Sequence, residues 1–248
     1  MNQILAEFVG TMVLMMLGNG VVCNVLLART KGNGSGWIVI TAGWGFAVFA
    51  AVAVAGPYSG AHINPAVTLG LAIAGTFPWA SVLPFMAAQF AGAFLGTTLA
   101  FLAYYKHYQA TDDQAATLGT FCNSPAINSP FWNMVTEVIA TFALVFVVLY
   151  FSLEGKATIG NEDIPIGLGS IGAIPVGLLV FGVGLSLGGP TGYAINPARD
   201  LSPRIAHALL PIPNKGPSGW SYSWIPVAGP MLGGAIAAAI WLFIGQLG

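Results

Sequence analysis

Residues 37–55 read WIVITAGWGFAVFAAVAVA without a single charged side chain. Comparable apolar runs cover 4–27, 81–105, 132–153, 172–188 and 224–247. A helix needs about 20 predominantly apolar residues to cross the hydrocarbon core of a bilayer. These runs therefore predict six transmembrane helices. Trp37, Trp79, Tyr104, Tyr105, Trp132 and Trp224 fall near the proposed ends, where interfacial aromatics anchor a span.

Composition rules out the competing reading of a soluble helical protein. Of 248 residues, 56% are hydrophobic and only 6% charged, whereas a soluble domain carries about a quarter charged residues. The net charge of −1 comes with no basic tail or stripe, which excludes nucleic acid as a partner. Cys23 and Cys122 have no metal-like spacing and read as packing residues. The opening MNQILAEFVG lacks a basic n-region and a small-residue cleavage site, so it reads as the start of the first span rather than a removable signal. No GxxxxGK[ST] motif is present to drive pumping with ATP, and no nucleophile–base pair or metal cluster supports an enzyme. Neither a cofactor nor a metal is expected.

Two segments, 66–74 and 198–210, are too short to cross a bilayer yet do not resemble solvated loops. They read as re-entrant segments, which at membrane depth must be buried in protein or line a water-filled cavity. Each follows an Asn-Pro-Ala. A shift of 132 residues lays SGAHINPAVT (59–68) over TGYAINPARD (191–200), with five of ten positions identical. A shift of 130 lays AEFVGT (6–11) over TEVIAT (136–141) and aligns Glu7 with Glu137. The chain is thus one membrane domain over 1–248, made of two repeats at about 1–108 and 130–248 joined by a loop at 109–129. Three spans per repeat is an odd number, so the repeats lie in the membrane with opposite orientation. Matching interrupted segments in inverted repeats point to a transport site near the midplane.

Asn is a strong N-cap and Pro is favoured at the first helical position. Asn64-Pro65-Ala66 and Asn196-Pro197-Ala198 should therefore start two short helices that enter from opposite faces and meet end to end. Each N-terminus carries roughly half a positive charge. Two facing ends repel hydronium and metal cations, while the Asn amides donate hydrogen bonds to water or a hydroxyl.

On these paired motifs the chain resembles the aquaporin (major intrinsic protein) superfamily along essentially its whole length. Asp200, directly after Asn196-Pro-Ala-Arg199, makes it most similar to the glycerol-facilitator branch. The resemblance implies an all-α fold of six tilted helices and two re-entrant half-helices, one pore per subunit, a homotetramer and a multi-pass place in the cell membrane. It implies a passive channel for glycerol and similar small neutral solutes, with water. It also implies a selectivity filter at Trp44, Gly184, Tyr193 and Arg199. Gly184 is expected to leave space there, Trp44 and Tyr193 to face a carbon backbone, and Arg199 to address hydroxyls. Glycerol facilitators typically carry Phe at the place of Tyr193, and the added hydroxyl would narrow the pore or favour a solute with a further acceptor. Protonated lactic acid and dihydroxyacetone are the alternative solutes.

Glu7 and Glu137 read either as a proton relay, which would make the protein a proton-coupled transporter, or as acceptors for exposed N–H groups of the re-entrant loops. The second reading is preferred, and the family uses these glutamates that way. His62 and Asp200 are expected to support the loops, and Arg204 and His207 to reach the membrane interface. The resemblance places both termini in the cytoplasm. Arg29, Lys31, Lys106 and Lys215 would then lie outside and Lys156 inside, against the positive-inside tendency.

Overall fold

The computed structural model describes residues 1–151 and 169–246 in full, and the backbone alone of 156–159 and 162–165. The first repeat holds α1 (Gln3–Leu26), α2 (Trp37–Ser59), the half-helix α3 (Pro65–Ile73) and α4 (Val82–Ala103). Two short helices follow, α5 (Tyr105–Gln109) and α6 (Gln114–Gly119). The second repeat holds α7 (Pro130–Phe151), α8 (Ile174–Leu187), the half-helix α9 (Pro197–Leu209) and α10 (Ile225–Gly245). Three 3₁₀ turns, Trp79–Ser81, Gly169–Ala173 and Trp220–Tyr222, lead into α4, α8 and α10. The six long helices match the six expected spans, and, counted with the turns that lead into α4, α8 and α10, each is long and apolar enough to cross a membrane. The expected ends at 153 and 247 lie outside the described residues, as does the Lys156 side chain.

Packing follows the duplication. α1 packs along α4 as α7 packs along α10, while α3 lies on α10 and α9 on α4, so each half-helix leans on the opposite repeat. The equivalent helices α2 and α8 pack on each other. Close approach rests on matched glycines: a Cβ on Gly92 would lie 2.2 Å from the Phe8 carbonyl oxygen, and one on Gly233 2.4 Å from that of Val138. Small residues are what allow helices to associate where lipid removes the hydrophobic drive between them.

Three details refine the expected outline. The second span extends past its expected end at residue 55: α2 runs through Pro57 to Ser59 and ends at left-handed Gly60 (φ 80°), whose N–H bonds to the Gly56 carbonyl. A proline in the last turn removes one intrahelical donor and leaves the turn itself possible. The joining segment 109–129 is not simply a loop, because Asp113 caps α6 by accepting from the N–H groups of Ala115 and Ala116. Finally, a two-stranded antiparallel hairpin pairs Lys156–Ile159 with Glu162–Pro165 between α7 and α8, a small addition to an otherwise helical fold.

Candidate functional site

Both half-helices begin as the Asn-Pro pairs predict. Asn64 accepts from the Ala66 N–H at 2.8 Å, and Asn196 from those of Ala198 and Arg199 at 3.0 and 3.2 Å. Both caps are extended (φ −158° and −156°), and Pro65 and Pro197 take the first helical position. The two starts are also tied to each other. Asn64 Nδ2 donates to the Ile195 carbonyl at 2.8 Å, and Asn196 Nδ2 donates to the Ile63 carbonyl at 2.9 Å. One N–H of each amide is thereby committed to the cross-link, and each amide group carries a second.

The loops that deliver these ends have an unusual backbone. Gly60, Ala61 and Ile63 have positive φ (80°, 51° and 44°), and so do Gly192, Tyr193 and Ile195 (79°, 42° and 46°). For β-branched Ile this is a costly conformation. Its matched recurrence shows that the duplication extends to individual torsions. In each repeat one fully buried glutamate fixes it. Glu7 accepts from Ser59 Oγ (2.6 Å), His62 N–H (2.9 Å), Ile63 N–H (2.7 Å) and Gln89 Nε2 (2.7 Å). Glu137 accepts from Thr191 Oγ1 (2.6 Å) and from the N–H groups of Ala194 and Ile195 (both 2.9 Å). Both oxygens of each carboxylate accept from loop N–H groups, an arrangement suited to scaffolding. The His62 ring contacts Thr68 Oγ1 through Nδ1 (3.1 Å) and sits edge-on to Phe77.

A cavity of about 810 Å³ runs along the half-helix starts. Gln3, Thr76, Phe77 and Phe151 line one end, Asn64 and Asn196 the middle, and Arg199 the other. Its lining includes the aliphatic side chains of Leu14, Val48, Val52, Val67, Leu144 and Val180. The two loops, 59–64 and 194–196, also line it.

At the Arg199 end, the guanidinium carbon lies 4.2 Å from the centre of the Trp44 ring, and Nη1 makes a long 3.5 Å bond to the Phe121 carbonyl. Trp44 can stand there because Gly18 of α1 makes room: a Cβ on Gly18 would lie 2.3–2.5 Å from the indole. The expected space at Gly184 is taken. A Cβ there would meet Tyr193 Cζ at 2.8 Å, Thr41 Cγ2 at 2.9 Å and the Tyr193 hydroxyl at 3.0 Å. The glycine accommodates the tyrosine ring, and the buried Tyr193 hydroxyl has no hydrogen-bond partner among the described residues. Of the four residues carried over from the resemblance, Trp44 thus meets Arg199 and Gly184 meets Tyr193, and Gly184 widens nothing by itself.

Arg204 and His207 do not reach an interface; both are fully buried. Arg204 donates to Asp200 Oδ1 through Nε (3.0 Å) and Nη2 (2.9 Å), and to the carbonyls of Ser218, Gly219 and Asn123. Asp200 Oδ2 accepts the Asn123 N–H at 2.7 Å. A buried ion pair with its remaining sites hydrogen-bonded avoids most of the desolvation penalty that would otherwise drive the arginine outward. The pair fastens the 121–123 segment, whose Phe121 carbonyl touches Arg199, to α9. Sequence reasoning missed Asn123, Phe121 and Gly18. The first two lie far along the chain from Arg199, and a helix glycine leaves no local signal of the ring it faces.

Comparison with known proteins finds relatives along nearly the whole chain. The sequence matches the major intrinsic protein family over residues 1–241. It is 53% identical over 239 residues to glycerol uptake facilitator protein 3 of Lactiplantibacillus plantarum, covering 96% of this chain and 95% of that one. It is 52% identical over 241 residues to the glycerol uptake facilitator protein of Streptococcus pneumoniae, covering 97% and 98%. The aquaglyceroporin of Plasmodium falciparum, solved by X-ray, superposes with a TM-score of 0.80 at 29% identity, over 96% of this chain and 94% of that one.

Proposed function

The chain belongs to the major intrinsic protein family, and on that premise we propose that it is a passive channel through which glycerol and comparable small neutral solutes diffuse together with water. The observation that carries the reading is the cavity lined both by aliphatic side chains and by the two loops, passing Asn64 and Asn196 and ending at Arg199. A polyol is itself two-faced, with C–H groups along one edge and hydroxyls along the other. The aliphatic side chains accept the first, and loop backbone and asparagine amides serve the second.

Passage depends on replacing hydration rather than on tight binding. Each Asn offers its second amide N–H to an oxygen in transit, while the first holds the cross-link to the opposite loop. The starts of α3 and α9 both face this point, so their partial positive charges add where a cation would have to shed water. A neutral hydroxyl crosses that field at little cost; a proton or metal ion does not. Arg199, stacked on Trp44, gives the next donors, and Trp44, Gly184, Tyr193 and Arg199 together form the selectivity filter. Glu7, Glu137, His62 and Asp200 hold the loops. In this reading Glu7 and Glu137 are committed to the loops rather than to proton coupling. The subunit acts in a homotetramer in the cell membrane, with the Gln3–Phe151 end of the cavity facing the cytoplasm.

The test is osmotic light scattering on vesicles containing the purified protein, with water, glycerol, dihydroxyacetone, urea and lactic acid at several pH values. Glycerol is expected to enter rapidly and without pH dependence. Water permeation with no solute permeation would sink the facilitator reading, and lactic acid outpacing glycerol at low pH would reassign the solute.

A further inference from the structure

Trp37 opens α2 and, by its sequence context and 39% exposure, looks like an ordinary interfacial anchor. Its indole nevertheless makes three specific contacts behind the filter. Nε1 donates to the Gly184 carbonyl at 3.0 Å. The ring meets Tyr193 edge-on, with centroids 5.7 Å apart and planes at 83°. Its Cζ2 would lie 2.7 Å from a Cβ on Gly188, and Tyr193 Cδ1 would lie 2.5 Å from the same atom.

The carbonyl of Gly184 is one of the last four of α8, which ends at Leu187, so it has no assured partner within the helix. Lipid offers none. The Trp37 indole supplies it, and thereby ties the start of α2 to the end of α8 at the level of the filter. The same ring stands behind Tyr193, which fills the space over Gly184 with its ring end and hydroxyl. Tyr193 has a strained backbone (φ 42°) and no hydrogen bond on its hydroxyl, so its ring is positioned by packing. Remove the indole and nothing else named here keeps the tyrosine from backing away from the lumen.

We propose that Trp37 is a positioning residue for selectivity: its indole N–H on Gly184 and its ring against Tyr193 set how far the tyrosine wall stands into the passage, and hence the largest solute that passes. The proposal rests on the filter reading given above. Trp37 touches no solute; it acts through Gly184 and Tyr193.

Two variants separate the contacts. Trp37→Phe keeps a ring against Tyr193 and loses the N–H; Trp37→Leu loses both. Permeabilities for water, glycerol and the four-carbon polyol erythritol are measured by light scattering on vesicles holding equal amounts of protein. Loss of one net hydrogen bond at the wall should raise the erythritol-to-glycerol ratio by about 5-fold in Trp37→Phe. Trp37→Leu should raise it further, because the tyrosine can then occupy the vacated volume. A merely structural role would lower all three permeabilities together and leave the ratio unchanged. An unchanged ratio in Trp37→Phe overturns the proposal even if Trp37→Leu fails to fold. Tyr193→Ala is the companion measurement: if it shifts the ratio while Trp37→Phe does not, only the role of Trp37 falls. If neither shifts it, the filter reading falls as well.

Discussion

Replacing Glu137 separates scaffolding from proton transfer. Its carboxylate accepts from Thr191, Ala194 and Ile195, and the two backbone donors lie in a stretch in which Tyr193 and Ile195 are left-handed. Holding two such residues costs roughly 2–6 kcal/mol. Three hydrogen bonds to a charged acceptor return roughly 5–9 kcal/mol net, so the carboxylate and the strain are of similar size and the loop is stable only while the carboxylate is present. Glu137→Gln keeps one oxygen but turns the other into a donor facing the Ile195 N–H, at a cost of about 1–3 kcal/mol. Glu137→Ala abandons all three donors in a buried site. The melting temperature should drop by about 2–4 °C for each kcal/mol, with Glu137→Ala far below Glu137→Gln. Water and glycerol permeabilities should fall together, since the loop carries both Asn196 and Tyr193. The assay pairs a thermal melt followed by circular dichroism with stopped-flow light scattering. A Glu137→Ala protein with unchanged melting temperature and unchanged glycerol permeability would refute the reasoning.

Two further outcomes follow from neighbouring contacts. Arg204→Ala leaves the Asp200 carboxylate buried without its partner and should destabilise the protein by about 3–5 kcal/mol, read from thermal melts. Gly18→Ala puts a methyl within 2.3–2.5 Å of the Trp44 ring, which must shift from beneath Arg199. The variant should fold yet show an altered glycerol-to-water permeability ratio by light scattering.

Sequence made some of this legible and hid the rest for definable reasons. Asn-Pro is a local code, so the starts of α3 and α9 could be read within one residue, and the repeat placed Glu7 and Glu137 at equivalent points. Local signals failed where a distant partner decides. Arg204 and His207 look like residues seeking water, but Asn123, Ser218 and Gly219 satisfy Arg204 indoors, and Ser218 Oγ meets the His207 ring. Gly184 reads as open space until the register of Tyr193 is known. Pro57 reads as a stop because proline usually is one, yet a last turn tolerates it. Trp37 reads as an anchor because nothing near it in sequence reveals the Gly184 carbonyl, 147 residues away.

The central claim is that neutral solutes pass Asn64 and Asn196 while protons do not. It is tested by vesicles loaded with a pH-sensitive dye and given a glycerol gradient and a proton gradient at once, with and without an uncoupler. The account predicts rapid glycerol entry, no protein-dependent change in internal pH, and no effect of the uncoupler on glycerol flux. Glycerol accumulation beyond equilibrium that collapses with the uncoupler, or internal acidification that requires the protein, would contradict it.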